Sequence, residues 1–243
     1  MANPAIKVIE KTGVQTFGET ATLSGTIKKT LGLLIVTIAS AVAAGKFLPT
    51  DSAASYGIMM FAMIGGAILA FVTCFKPHLA EYTTPGYAVF EGVALGMISA
   101  VFERMYYGIS AIAVATTLVI MFTMLFLWKQ RIIVVTEKLR SVIISMTMGI
   151  MALYLINFIV SMFWTSFIPR SGIVGIGMTL LIAGIAAFNL LLDFDNIEQA
   201  VANGMPKYME YFNAFGLLMT LVWLYIEILR LVQMIMAMLN NDD

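Results

Sequence analysis

Seven side chains that ionise or hydrogen-bond strongly stand inside otherwise apolar stretches of this 243-residue chain: Glu91, Asn157, Asn189, Asp193, Asp195, Glu227 and Arg230. A carboxylate at the centre of a membrane-crossing helix costs about 2.5–3.5 kcal/mol even on insertion scales, so each needs a reason to be there. The chemistry open to such acids is proton uptake and oxygen ligation of a hard cation. Glu227 lies in LYIEILRL (224–231), and 11 of the 14 residues from Leu217 to Arg230 are apolar. It can pair with Arg230 three residues on, neutralising both charges, or face a polar cavity as a protonatable group; the two roles are compatible.

Asp193 and Asp195 sit in LLLDFDNIEQA (190–200). Two residues apart on one helix, they point to nearly opposite faces, so only one is expected to look into a bundle. Asp193 is expected at the membrane interface, where it can meet solvent. His78, the single histidine, reads as a solvated loop residue more readily than a pH sensor. The 19 methionines are scattered without a stripe suited to a soft metal and read as adaptable packing. Cys74, alone, allows no intramolecular disulfide and no cysteine metal cage.

The elements that must hold these groups follow from composition. Hydrophobic residues make up 60% and charged residues 12%, with a mean hydropathy of +0.93, against about one-quarter charged in soluble globular chains. Lipid must therefore be the solvent for most of the surface. Seven apolar stretches of membrane-crossing length can be read at 30–48, 56–75, 87–105, 109–128, 142–164, 173–194 and 211–236. Together they predict an all-α integral membrane protein. A tail at 1–27, a seven-helix transmembrane domain at 28–239 and a short tail at 240–243 leave no length for a separate catalytic domain.

Pro49, Thr50 and Asp51 close the first stretch, Lys76, Pro77 and His78 close the second, and Pro85 with Gly86 is expected to open the third. The third and fourth are split only by Arg104 to Gly108, which makes them antiparallel neighbours. With the N-terminus in the cytoplasm, Lys7, Lys11, Lys28, Lys29, Lys76, Lys129, Arg131, Lys138, Arg140 and Lys207 fall inside and Lys46, Arg104 and Arg170 outside, the bias that sets topology. An odd number of spans sends Asn240 to Asp243 to the far side. Trp128, Trp164 and Tyr208 are placed near span ends, where amphipathic rings favour the headgroup level. The first 27 residues lack the apolar core and cleavage site of a secretory signal, so the first apolar stretch is expected to act as an uncleaved insertion signal. Ala88, Gly92, Gly96 and Ala100 form a small-residue stripe on one face of the third span, a device for close backbone approach in lipid. With 14 basic and 14 acidic residues and no charged block, nucleic acid is not expected as a partner.

At LLLDFDNIEQA (190–200), LYIEILRL (224–231), TLSGTIKKT (22–30) and GYAVFEGVALGMISAVFE (86–103), the chain resembles the bacterial branch of the Bax inhibitor-1 superfamily, from the end of the N-terminal tail to the C-terminus. The resemblance implies a seven-helix bundle with the last helix central, in a bacterial plasma (inner) membrane, and a pH-sensitive calcium leak. It also implies that Asp195 and Glu227 form a gating pair sharing a proton and transiently meeting calcium. Three departures stand out. The family's usual aspartate on the last helix is glutamate here, the segment between the acids is longer by roughly two helical turns, and no arginine occurs late in the second span, so Arg230 is the candidate substitute. Glu91 has no acidic counterpart in the family; placed one turn inside the third span, it either widens the acidic lining of a cation path or bonds a neighbouring helix. Asp193, Asn157 and Asn189 are candidate supporting residues.

Three function classes stay open. The first is a proton-gated calcium or cation leak channel or carrier, needing no cofactor beyond the ions themselves. The second is a non-conducting regulator that binds a membrane-bound protease or another membrane protein. The third is an intramembrane aspartyl protease, which LLLDFDNIEQA fits poorly for lack of a tyrosine-aspartate motif, as does LYIEILRL for lack of a glycine-rich companion. A retinal receptor is excluded by the absence of a lysine in the last span.

Overall fold

A computed structural model describes residues 19–48, 53–165, 168–169 and 171–240. The tail up to residue 18 with Lys7 and Lys11, the punctuation at Pro49, Thr50 and Asp51, Arg170, and residues 241–243 lie outside the described residues. Among those described, seven helices are long and apolar enough to cross a membrane: α1 (Leu23–Phe47), α2 (Ala53–Phe75), α3 (Ala80–Met105), α4 (Ile109–Lys129), α5 (Glu137–Ser161), α6 (Gly172–Ala202) and α7 (Met209–Asn240). The protein is an all-α, seven-helix membrane protein. Large apolar side chains such as Ile35, Phe61, Phe71 and Phe122 point outward, as they must where the surrounding medium is hydrocarbon.

The helices run longer than their apolar stretches because polar ends extend them past the hydrocarbon. The first begins at Leu23, seven residues before the expected start, because Thr22 caps it: the Thr22 hydroxyl accepts from Gly25 N at 2.9 Å. Thr136 caps α5 in the same way, and α6 continues to Ala202 instead of stopping at 194. Pro85 does not open the third span. A 3₁₀ turn at Pro77–Leu79 starts that element, with Pro77 in the favoured first position, and Pro85 lies inside α3. Gly108, at φ +84°, turns the chain from α3 into α4, and Gly204, at φ +57°, does so between α6 and α7.

The last helix, α7, is the most buried of the seven and packs on α1, α3, α4 and α6, so it is central as expected. The closest backbone approach is between α1 and α3, where the small-residue stripe lies. A Cβ on Gly96 would meet Ala41 O at 2.1 Å, and one on Gly92 would meet Thr37 O at 2.4 Å. The buried threonines of α1 return their hydroxyls to backbone carbonyls four residues back, as Thr30 does to Thr26 O and Thr37 to Leu33 O. These hydroxyls are thereby satisfied within their own helix.

The start of α1 is also tied to the start of α7. Thr20 and Pro206 form a β-bridge, Ala21 N donates to Met205 O at 2.7 Å, and buried Glu210 accepts from Thr22 N at 2.8 Å and from the Thr22 hydroxyl at 2.9 Å. Lys29 pairs with the same carboxylate and lies over the Tyr211 ring. Gly25 makes room for it, since a Cβ there would fall 2.1 Å from Glu210 Oε1.

Replacing Gly96 by leucine should force α1 from α3 and cost at least about 1–3 kcal/mol, the usual penalty of overpacking. Unfolding of the detergent-solubilised variant by heat or denaturant measures this. A Gly32→Leu control, at a position with open space around it, should leave stability nearly unchanged.

Candidate functional site

The acids are carried by α6 and α7, an antiparallel hairpin closed by residues 203–208. In such a hairpin, residues face each other when they lie equally far from the turn. Asp195 is seven residues from the end of α6 and Glu227 eighteen from the start of α7. The mismatch of eleven residues is about 16 Å along the axis at 1.5 Å per residue.

Their partners confirm two separate stations. Arg140, near the start of α5, forms an ion pair with Asp195 and donates to Asn196 Oδ1 at 2.9 Å, while Gln199 Nε2 donates to Asp195 Oδ2 at 2.6 Å. Tyr154, fourteen residues further along α5, donates its hydroxyl hydrogen to Glu227 Oε1 at 2.7 Å. Arg230 Nη1 reaches both the Tyr154 oxygen, at 3.1 Å, and the Glu227 carboxylate, at 3.3 Å to Oε2. Fourteen residues of helix span about 21 Å, so the two acids cannot share one proton or one bound ion. The expected Asp195–Glu227 pair is therefore not formed, and the extra helical turns between the acids are the physical reason.

Glu227 is 1% exposed, and Arg230, three residues on, turns toward it. Asp195 has an arginine of its own from α5. A cluster of three or more histidine, cysteine or acidic side chains able to hold a metal does not occur among the described residues, and the separation removes Asp195 and Glu227 as joint ligands.

Asp193 corrects a second expectation. It lies nearly three turns inside the end of α6, and its carboxyl faces α7, with Oδ1 3.6 Å from where a Cβ of Gly216 would stand and the Thr220 hydroxyl alongside. Oδ2 is buried without a hydrogen-bond partner among the described residues. Both aspartates thus turn into the protein, Asp193 toward the last helix and Asp195 toward α5, because α6 is enclosed on both of those faces.

Asn189 ties α6 to α5, donating to the Thr147 hydroxyl at 2.8 Å and to Ile185 O at 2.9 Å. Buried Asn157 accepts from Ile168 N at 3.3 Å and lines, with Tyr154, Thr179 and Arg230, a small cavity of about 110 Å³ next to the Glu227 station. Glu91 stands elsewhere. It is the twelfth residue of α3, in the seam with α2 beside Gly66, with the Tyr87 hydroxyl of its own helix in reach. The helix begins at Ala80, ahead of the apolar stretch, and α2 packs chiefly on α3. His78 is exposed in the 3₁₀ turn. Trp128 packs inward against Phe194, ring centroids 5.8 Å apart.

The model of the family described as Bax inhibitor 1 like matches residues 3–237. Neither a curated protein nor a solved structure matches the chain.

Separate stations predict separable energetics. Asp195→Asn and Arg140→Gln should each cost roughly 1–3 kcal/mol, the range for leaving a buried partner unsatisfied, and the double variant clearly less than their sum. Asp195→Asn combined with Tyr154→Phe should instead be additive to within about 0.5 kcal/mol, as for distant sites. Unfolding in mild detergent measures both cycles.

Proposed function

The chain belongs to the Bax inhibitor 1 like family, and from that membership we propose that it is a proton-sensitive leak pathway for calcium or a similar hard cation. Its place in this reading is a bacterial plasma membrane, with the N-terminus cytoplasmic as the basic residues favour. The observation that carries the proposal is the set of carboxylates turned into the bundle on α6 and α7: Asp195 and Glu227 face α5 at two depths, and Asp193 faces the last helix from the other side of α6. Structural helix packing does not call for acids at such cost; a cation moving between oxygen ligands does.

The two arginine-held acids take different roles. On the cytoplasmic side, the ion pair between Asp195 and Arg140 joins α6 to α5 as a latch. Protonation of Asp195 removes the charge that holds Arg140, so acidification loosens the latch. Glu227, held by Tyr154 and Arg230, is a deeper station, and Asp193 lies between them. Calcium takes six to eight oxygens, far more than one station offers. Water must supply the remainder, which suits passage better than retention. In this reading, gating by a dyad sharing one proton gives way to two separately partnered acids. The same separation argues against an aspartyl protease, whose two carboxylates must share a proton.

In liposomes loaded with a calcium-sensing dye, the protein should speed calcium release, more so as the bath is acidified. Asp195→Asn mimics the protonated state and should raise the neutral-pH rate by roughly tenfold, the factor carried by about 1.4 kcal/mol, with little further response to acid. Glu227→Gln should slow the flux while keeping the pH response. Release no faster than from empty liposomes, or an unchanged pH response in Asp195→Asn, would refute the assignment.

A further inference from the structure

We propose that the cleft bounded by α1, α3, α4 and α7 is a binding site for one anionic phospholipid, taken from the leaflet on the side where α1 ends. The cleft encloses about 1190 Å³, above the roughly 300–1,000 Å³ typical of small-molecule pockets. It runs along α1 from Leu34 to Phe47, thirteen residues and about 20 Å at the helical rise. That is about two-thirds of a hydrocarbon core about 30 Å thick, so the cleft reaches from one membrane surface past the midplane.

Its polarity is graded along that length. The deep end is apolar, formed by Leu34, Leu218 and Leu221. The mouth carries the charged side chains Lys46, Glu103 and Arg104, at the ends of α1 and α3. Lys46 and Arg104 are exposed there. Glu103 is tied to the start of α4, accepting from Gly108 N at 2.6 Å and Ser110 N at 3.1 Å, which leaves the mouth with two cations to one anion. Two cations at the surface above a leaflet-deep apolar slot match a phosphate-bearing headgroup above an acyl chain. An aqueous ion vestibule would instead need polar walls down to the midplane.

The cleft opens sideways to lipid. Ile38 and Val42 on one wall and Val114 and Leu118 on the other are 40–57% exposed. The walls are also held in place. The Gly96–Ala41 contact fixes α1 on α3, and the Ser99 and Tyr225 hydroxyls, 2.7 Å apart, join α3 to α7 in the floor. Walls braced in this way pre-form the slot, which lowers the cost of binding.

Native mass spectrometry of the full chain released from nanodiscs of mixed phosphatidylglycerol and phosphatidylcholine tests the proposal. One retained phosphatidylglycerol is expected, preferred over phosphatidylcholine by at least fivefold. Lys46→Gln with Arg104→Gln should abolish the preference while leaving the circular dichroism spectrum and chain-only retention intact. Ala111→Trp, which fills the slot, should abolish retention of either lipid, and glycerophosphate without chains should not compete. Equal retention of both lipids by the wild type, or undiminished retention in Ala111→Trp, would overturn the proposal and reduce the cleft to ordinary lipid contact. Efficient competition by glycerophosphate would overturn it too, by showing that the acyl chain contributes nothing. None of these readouts depends on calcium flux.

Discussion

The length of the two arms of the α6–α7 hairpin governs which acids can meet. Backbone hydrogen bonding inside lipid forbids an irregular detour that would absorb extra residues, so each added residue moves the later acid by a full helical rise. With a six-residue connection and the chain turning at Gly204, Asp193 comes level with Gly216 and Thr220, and Glu227 is carried far past Asp195. Each acid must then find its own counter-group. Arg140 and Tyr154 on α5 supply these, while Arg230 is shared with Tyr154. At Asp195 and Glu227 the arrangement respects the rule that a charge removed from water needs a local partner, and Asp193 is the exception, its Oδ2 without a hydrogen-bond partner among the described residues.

Much of the architecture was readable before any coordinates. Seven apolar stretches and the close approach coded by Gly92 and Gly96 emerge because hydropathy and small-residue spacing act locally, whereas the central place of the last helix came from the family resemblance. Ends were less legible. A capping threonine such as Thr22 or a favourably placed Pro77 extends a helix beyond its apolar run, and hydropathy is blind to that.

The site was legible in its residues but not in its pairing. Glu227, Asp193 and Asp195 could be singled out by their cost in an apolar span. Their partners could not, since Arg140 reads as one more basic residue in a flanking segment and Tyr154 as one more aromatic in a span. The clue that was available is the long interval between Asp195 and Glu227, which in a tight antiparallel hairpin precludes contact. Asn189 bonding Thr147 and Asn196 bonding Arg140 show the complementary regularity on α5, with seven residues separating each set. Glu210 and Lys29 were missed for a similar reason: they are far apart in sequence and unremarkable until α1 and α7 are brought together.

The tie between Thr22, Lys29 and Glu210 bears on how the chain is made. α1 leaves the ribosome first, yet the carboxylate that completes its capping lies 188 residues later. During synthesis the opening turn of α1 therefore waits, without its long-range acceptor, until the final hairpin has been inserted. Closure of that contact is accordingly a late step of biogenesis, joining the two ends of the bundle and marking the point at which a nascent chain becomes a finished one.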